Sequence, residues 1–557
     1  MTPRFLTPLS AGWPATLLLG TLALATAGPP GLASQTTAPG SRLAGAASPA
    51  SYRAHLEFLA SDLLEGRGTA TRGGLLAAQY IATQFQRLGL EPAGDSGYFH
   101  RVPIIGLTPD PLLRVTGALP KALAYRDDYV LWSLRDDPEV SLGAPAVFVG
   151  YGIVAPEWHW NDYAGVDPRG KIVVCLVNDP GLRDSTLFRG RILTYYGRWT
   201  YKIEEAARQG AAGILLVHSP ESATYPWGTV TGSWTGEQVR IETPPTSLVA
   251  AGWIRDTAVA LLFSQAGLDY AALAERAATR AFRAVELPFG FEARVKSAIR
   301  RSTTYNVIAR LRGRGPRADE AVLIGGHYDH FGIRTPVNGD SIYNGAEDNA
   351  SGAAAVIVAA EAFVTSGVRP GRSILFVGFG AEESGLLGSQ ALVERPVIPL
   401  RDLAAVLNLD VLNLYGPTRD IAALGFDQSS LGPVFQAAAA AERLRVSVNQ
   451  DALIRGAFFR SDHFPFARAG VPALSIEPGE DFIGRPAGWG RERRAEYTEQ
   501  RYHKPQDEVL PWFSMDGAMQ QIRVVLRTAL AVAQAPAQPV WERASEFRAA
   551  GEARRQP

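Results

Sequence analysis

The chain has 557 residues, 46% hydrophobic and 20% charged, and its 55 basic and 55 acidic side chains give a formal net charge of zero. Such a composition excludes wholesale disorder, and the length exceeds what one core of ordinary size organises. The balanced charge removes any general electrostatic case for nucleic acid or an anionic membrane as partner, and a single cysteine, Cys175, excludes an intramolecular disulfide and a cysteine-based zinc site.

The N-terminus carries Arg4, an apolar run from Ala15 to Ala27, and then a stretch rich in Gly, Pro, Ser and Thr. The run is shorter than the ~20 residues a spanning helix needs, and Ala25-Thr26-Ala27 fits a small-residue cleavage site. Residues 1–27 are therefore expected to be a secretory signal. That implies an exported protein, secreted or periplasmic, with no stable membrane anchor after cleavage. No other segment reads as apolar enough to span a bilayer. Residues 28–50 are small and polar and predict a linker. From Tyr52 to Leu88 the pattern is helical, broken at Gly66-Arg67-Gly68-Thr69, with Gly89 where a helix C-cap is expected. Residues 98–135 predict short strands between Pro and Gly turns.

A second α/β pattern then begins, with PAVFVGYG, KIVVCLVN and GILLVHS as strands and YKIEEAARQG as a helix. Residues 138–288 thus predict a smaller α/β unit lodged inside a domain built from 51–137 and 289–535. Its His159 and His218 have no ligand-type neighbours and read as ordinary packing or surface histidines, and Cys175 reads as a buried strand residue. The tail, 536–557, is expected to be partly disordered.

The chemistry concentrates in the later half. AVLIGG precedes His327, SILFVGFG precedes the pair Glu382-Glu383, and AAVLNL precedes Asp410, each an apolar run of strand length. In an open, mostly parallel α/β sheet the ligand crevice lies at the carboxyl ends of the strands, where these residues fall. With Asp348 and His503 they would overload one closed zinc site but suit a pair of ions, so the pattern reads as a two-metal hydrolase. Asp329 follows His327 by two positions, on the same side of an extended segment, and can accept the second N–H of a ligating imidazole. His330 faces the other way and is expected to be structural. Asp348, in a Gly-rich turn opening an apolar helix, can offer one oxygen to each ion, whereas Glu347 is not expected to ligate. Of two adjacent glutamates, one can bind metal while the other accepts a proton. Asp410 ends an apolar strand, where an unpaired carboxylate is costly unless it meets a cation.

Together these segments resemble the zinc exopeptidase family that contains aminopeptidase S, aminopeptidase Y and glutamate carboxypeptidase II. The resemblance runs across most of residues 52–515 and includes LASDLLEGRGT, SDHFPF at Ser461–Phe466, and YHKPQD. The insert at 138–288 looks like the protease-associated domain that many members carry. The resemblance implies an α/β fold with a mostly parallel sheet flanked by helices, and two Zn2+ ions. One ion would take His327 and Asp410, the other Glu383 and His503, with Asp348 bridging. Glu382 would be the general base, Asp329 the His-orienting residue and Tyr502 a stabiliser of the tetrahedral intermediate, with Asp462 and His463 in support. The implied activity is that of an aminopeptidase on peptide substrates. A carboxypeptidase or dipeptidase on the same scaffold is the nearest alternative, with Arg455, Arg460, Arg485 and Arg491 as cations for a substrate carboxylate. A non-catalytic, receptor-like member would be expected to have lost ligands or base, and none is lost here.

Overall fold

The computed structural model describes residues 38–117, 121–242 and 246–556; the expected signal at 1–27 lies outside them. Ala321–His327, Ser373–Phe379 and Leu403–Leu409 are buried along their whole length, as strands of a parallel sheet covered on both faces must be. They pair in parallel, with Ala321–His327 in the middle. Ala473–Pro478 continues the parallel order beside Leu403–Leu409. Antiparallel strands flank this group, Val285–Leu311 on one side and Asp420–Leu424 on the other. The result is the expected mostly parallel sheet between helices. Its four central strands run the same way, so all their carboxyl ends share one edge.

The stretch Ala346–Ser366 is long and apolar enough by composition to cross a bilayer, contrary to the sequence reading. Here it includes the core helix Ser351–Ser366, whose side chains from Ser351 to Ala360 are all buried. The predicted helices before the sheet are present as Pro49–Leu59 and Arg72–Arg87, and Gly89 adopts φ 67° just past the second, as a C-terminal cap requires. Residues 39–50 are not the expected linker. Pro39–Gly45 is helical and packs on the helix Asp516–Gln534. Leu43 and Ala44 supply its buried face, too sparse a stripe to stand out among small polar residues. The Ser48 side chain caps the next helix.

The insert forms its own parallel run, Glu139–Phe148, Ile172–Leu176, Gly213–His218 and Ala250–Arg255, edged by antiparallel Tyr129–Ser133. Its core extends beyond 138–288, taking in Leu113, Val115, Tyr129 and Leu131 before that span and Phe291 and Val295 after it. The cause is a long antiparallel ribbon of Phe99–Gly117 against Val285–Leu311, running from the pair Phe99/Val307 to Gly117/Phe289. The short strands expected at 98–135 are thus mostly one strand, and Pro103, Pro109 and Pro111, which suggested turns, lie within it. His218 is a packing residue, with Nε2 3.0 Å from the Tyr225 carbonyl and its ring against Trp227 and Trp253. Cys175 is fully buried.

The tail is ordered, not partly disordered. Trp541 is 4% exposed, its Nε1 donates to the Gly470 carbonyl at 3.0 Å, and its ring lies 5.0 Å from that of Phe547. The Tyr195 N–H donates to Glu546 at 2.8 Å, tying the insert to the tail. These few anchors are diluted in a polar composition, so the sequence pattern conceals them. Trp541→Ala should therefore lower the unfolding free energy by about 3–5 kcal/mol, the usual cost of truncating a buried tryptophan. Urea denaturation of the two proteins measures this, and an unchanged midpoint would refute the anchor.

Candidate metal centre

His327 is the last residue of its strand and Asp410 follows Leu403–Leu409 directly. Glu382 and Glu383 follow Ser373–Phe379 after Gly380 and Ala381. Gly380 lies so close to the neighbouring chain that a Cβ there would stand 2.5 Å from the Tyr305 carbonyl oxygen. Asp348 sits in the irregular turn Ala346–Ala350 that opens the core helix, and its peptide bond to Asn349 is cis. His503 arrives from the loop after Trp489–Gln500, at φ 57°.

The structure brings all of the expected ligands together, and Asp348 is their centre. Its Oδ1 lies 3.4 Å from His327 Nε2 and its Oδ2 3.2 Å from His503 Nε2. His327 Nε2 is also 3.3 Å from Asp410 Oδ1 and 4.0 Å from Glu382 Oε2. Glu383 Oε2 stands 3.5 Å from His503 Nε2. Donor atoms of His327, Glu382 and Asp410 form one group within 4.8 Å, and those of His330, Asp348 and Glu383 form another. The Tyr502 ring stacks on His503 at a centroid separation of 3.7 Å.

Asp329 orients His327 differently from expectation. His327 Nδ1 donates to the Asp329 main-chain carbonyl at 3.1 Å, while the carboxylate is 3.9 Å away. That carboxylate instead accepts the Glu382 N–H at 3.0 Å and the Thr69 hydroxyl at 2.9 Å, so it braces the glutamate turn. With the Nδ1 proton committed to a carbonyl, Nε2 faces the Asp348 and Asp410 carboxylates, where it can donate as an imidazolium or, once deprotonated, ligate a cation. The buried oxygen and imidazole donors, with negative charge in excess, fit metal ions.

Several supporting residues carry no individual sequence signal. The Ser461 hydroxyl donates to Asp410 Oδ2 at 2.6 Å and accepts from Asn408 at 2.7 Å. Asp507, from the YHKPQD motif, accepts the main-chain N–H groups of Glu347 and Asp348, both at 3.0 Å. Arg67, fully buried, donates to the carbonyls of Tyr328, Leu59, Asn344 and Gly345. Glu347 stays out of the centre, its carboxylate 2.6 Å from Arg501 and 2.7 Å from the Tyr415 hydroxyl. His330, expected to face away, places Nδ1 2.7 Å from Glu383 Oε1. Asp462 and His463 are fully buried behind the site.

Burial raises the Glu383 carboxyl to about 8, with the neighbouring Asp348 charge adding to it. Burial likewise raises Glu382 well above the carboxylate range, and Glu383 and Asp410 reinforce it against His327. Asp348 goes the other way: hydrogen bonds from His327 and His503 overcome its burial and hold it well below. The same residues that compete for protons would compete for cations.

Residues 306–527 match the family model described as peptidase family M28. The chain is 28% identical over 193 residues to leupeptin-inactivating enzyme 1 of Streptomyces exfoliatus, a match covering 34% of this chain and 40% of that protein. It is 26% identical over 267 residues to a probable zinc metalloprotease of Pyrenophora tritici-repentis, covering 42% of this chain and 58% of the relative. With leucine aminopeptidase 1 of Penicillium rubens it shares 24% identity over 298 residues, 52% of this chain and 67% of that protein. The chain thus spans about half the length of the first two relatives. His327, Asp348, Glu382, Glu383, Asp410 and His503 all fall within the segment that matches the model of peptidase family M28.

Proposed function

We propose that the chain is an exported aminopeptidase, dependent on two zinc ions, that hydrolyses the N-terminal peptide bond of peptides. The observation that carries this reading is the position of Asp348, one oxygen toward His327 and the other toward His503, with Asp410 on one side and Glu383 on the other. His327 and Asp410 would hold one ion, Glu383 and His503 the second, and Asp348 both. The names of the relatives, a probable zinc metalloprotease and a leucine aminopeptidase, support zinc and an aminopeptidase activity. Export rests on the apolar run Ala15–Ala27. The insert, read as a protease-associated domain, acts on access or specificity.

Held by His327, Asp348, Glu383, Asp410 and His503, a pair of zinc ions would supply polarisation of the scissile carbonyl and acidification of the attacking water. The remaining work belongs to side chains. Both oxygens of Glu383 are engaged, one by His330 and one toward His503, whereas the Glu382 carboxylate makes no hydrogen bond among the described residues. Glu382 is therefore the group able to accept the water proton and return it to the leaving amine. The Asp329 brace on its main-chain N–H fixes where that carboxylate can reach. Glu382 and Asp410 are the anions nearest to hand for a substrate ammonium. Tyr502, stacked on His503, would supply its hydroxyl to the oxygen that gains charge.

Metal-free protein should take up two zinc ions per chain, and chelation should abolish release of the amine from aminoacyl-anilides while N-blocked analogues stay intact throughout. Full turnover in protein with no bound metal would end the two-ion reading, and cleavage of N-blocked but not free peptides would end the aminopeptidase one. The two glutamates should separate cleanly. Glu382→Gln should keep both ions yet lose at least ~10²-fold in turnover number, the order that general base catalysis contributes. Glu383→Gln should lose one ion, with activity partly restored by added zinc. Metal content read beside turnover decides the matter, and the reverse pattern would exchange the two roles.

A further inference from the structure

His330 has no assigned part in the proposed chemistry, yet it is one of the most tightly enclosed side chains at the site, with a side-chain exposure of 0%. Its main-chain N–H donates to the Arg67 carbonyl at 3.1 Å. Its ring meets Phe331 and His503 edge to face, with centroids 4.9 and 5.9 Å away. Room for the imidazole exists only because residue 345 is glycine, at φ 56°. A Cβ there would stand 2.5 Å from His330 Cγ. Among the described residues the ring makes one polar contact, Nδ1 to Glu383 Oε1 at 2.7 Å, and its Nε2 has no partner.

We propose that His330 is a positioning residue for Glu383, holding Oε1 so that Oε2 is presented beside Asp348 and His503. This inference rests on the two-ion reading of the centre. A carboxylate only accepts, so Nδ1 carries the proton and donates it. Glu383 is a flexible chain adjacent in sequence to another buried carboxylate, and repulsion from Glu382 and Asp348 drives it away from the centre whenever cations are absent. The fixed N–H opposes that drift and lowers the ordering cost of metal uptake, as outer partners of ligating groups do elsewhere. His330 cannot use the same nitrogen as a ligand while it donates, and Nε2, at the opposite edge of the ring, is buried. The burial that keeps the ring neutral, with its pKa lowered to about 3, is consistent with this donor role.

Calorimetric zinc titration of metal-free protein tests the proposal without reference to activity. Wild type should show two binding events. His330→Phe, which fills the volume but has no N–H, should weaken one event by ~10–100-fold, the usual effect of removing such a partner, and leave the other unchanged. His330→Gln, whose amide can donate to the same oxygen, should recover most of that affinity, and this rescue keeps the test meaningful where the phenylalanine variant folds poorly. Two unaltered events in His330→Phe would overturn the positioning role. So would complete loss of one event in both variants, which is the behaviour of a direct ligand. Absence of zinc binding by wild type would instead refute the two-ion reading itself.

Discussion

Like charges forced together in a buried place repel, and the architecture around this centre works against that repulsion. Two unit charges 4 Å apart cost on the order of 4 kcal/mol at the effective dielectric of a protein surface, and more when water is excluded. Asp348, Glu382, Glu383 and Asp410 all lie around the same pair of imidazoles. No arrangement of aliphatic packing tolerates them. They persist because each is clamped from outside: Asp410 by Ser461, Glu383 by His330, the Glu382 main chain by Asp329, and the Asp348 turn by Asp507 and Arg67. The repulsion that remains would favour bound cations.

The fold makes such crowding available through the order and direction of its strands. Parallel strands end at one edge, so His327, Glu382, Glu383 and Asp410, distant in sequence, arrive side by side, and His503 joins them from a loop. The polar groups freed where the strands stop are those that accept or donate to the site: the Asp329 carbonyl receives His327, and the Glu382 N–H finds Asp329. Behind the edge, the core helix and sheet are almost wholly apolar, which keeps the dielectric low and strengthens every clamp.

The insert is bound to this framework at more than the ribbon. Tyr195 packs against Phe459 and Phe464, and Arg189 pairs with Asp427 at 2.8 Å. Phe459 and Phe464 bracket Ser461, the residue that holds Asp410. The insert therefore presses on the segment supporting one ligand, and its packing and the geometry of the centre are joined through a few residues.

His327, Glu382, Glu383 and Asp410 were legible in the sequence because each follows an apolar run of strand length, and a strand end in a parallel sheet is a place where a carboxylate needs a partner. Asp348 was legible from its Gly-rich turn before an apolar helix, and the helices Pro49–Leu59 and Arg72–Arg87 from their periodicity and the Gly89 cap. His330 was placed on the wrong side, since alternation along an extended chain fails once the chain turns after His327. Arg67, Asp507 and Ser461 act on groups hundreds or tens of residues away, and no local pattern records such contacts. The helix Pro39–Gly45, the ordered tail and the length of the Phe99–Gly117 ribbon were likewise hidden, because small, Pro-containing or Arg-rich segments acquire structure only from the surfaces they meet. Local chemistry thus determined which residues form the centre, through the high cost of burying charge. Tertiary structure alone decided which atom of each residue faces which neighbour, because that depends on contacts between segments that share no sequence neighbourhood.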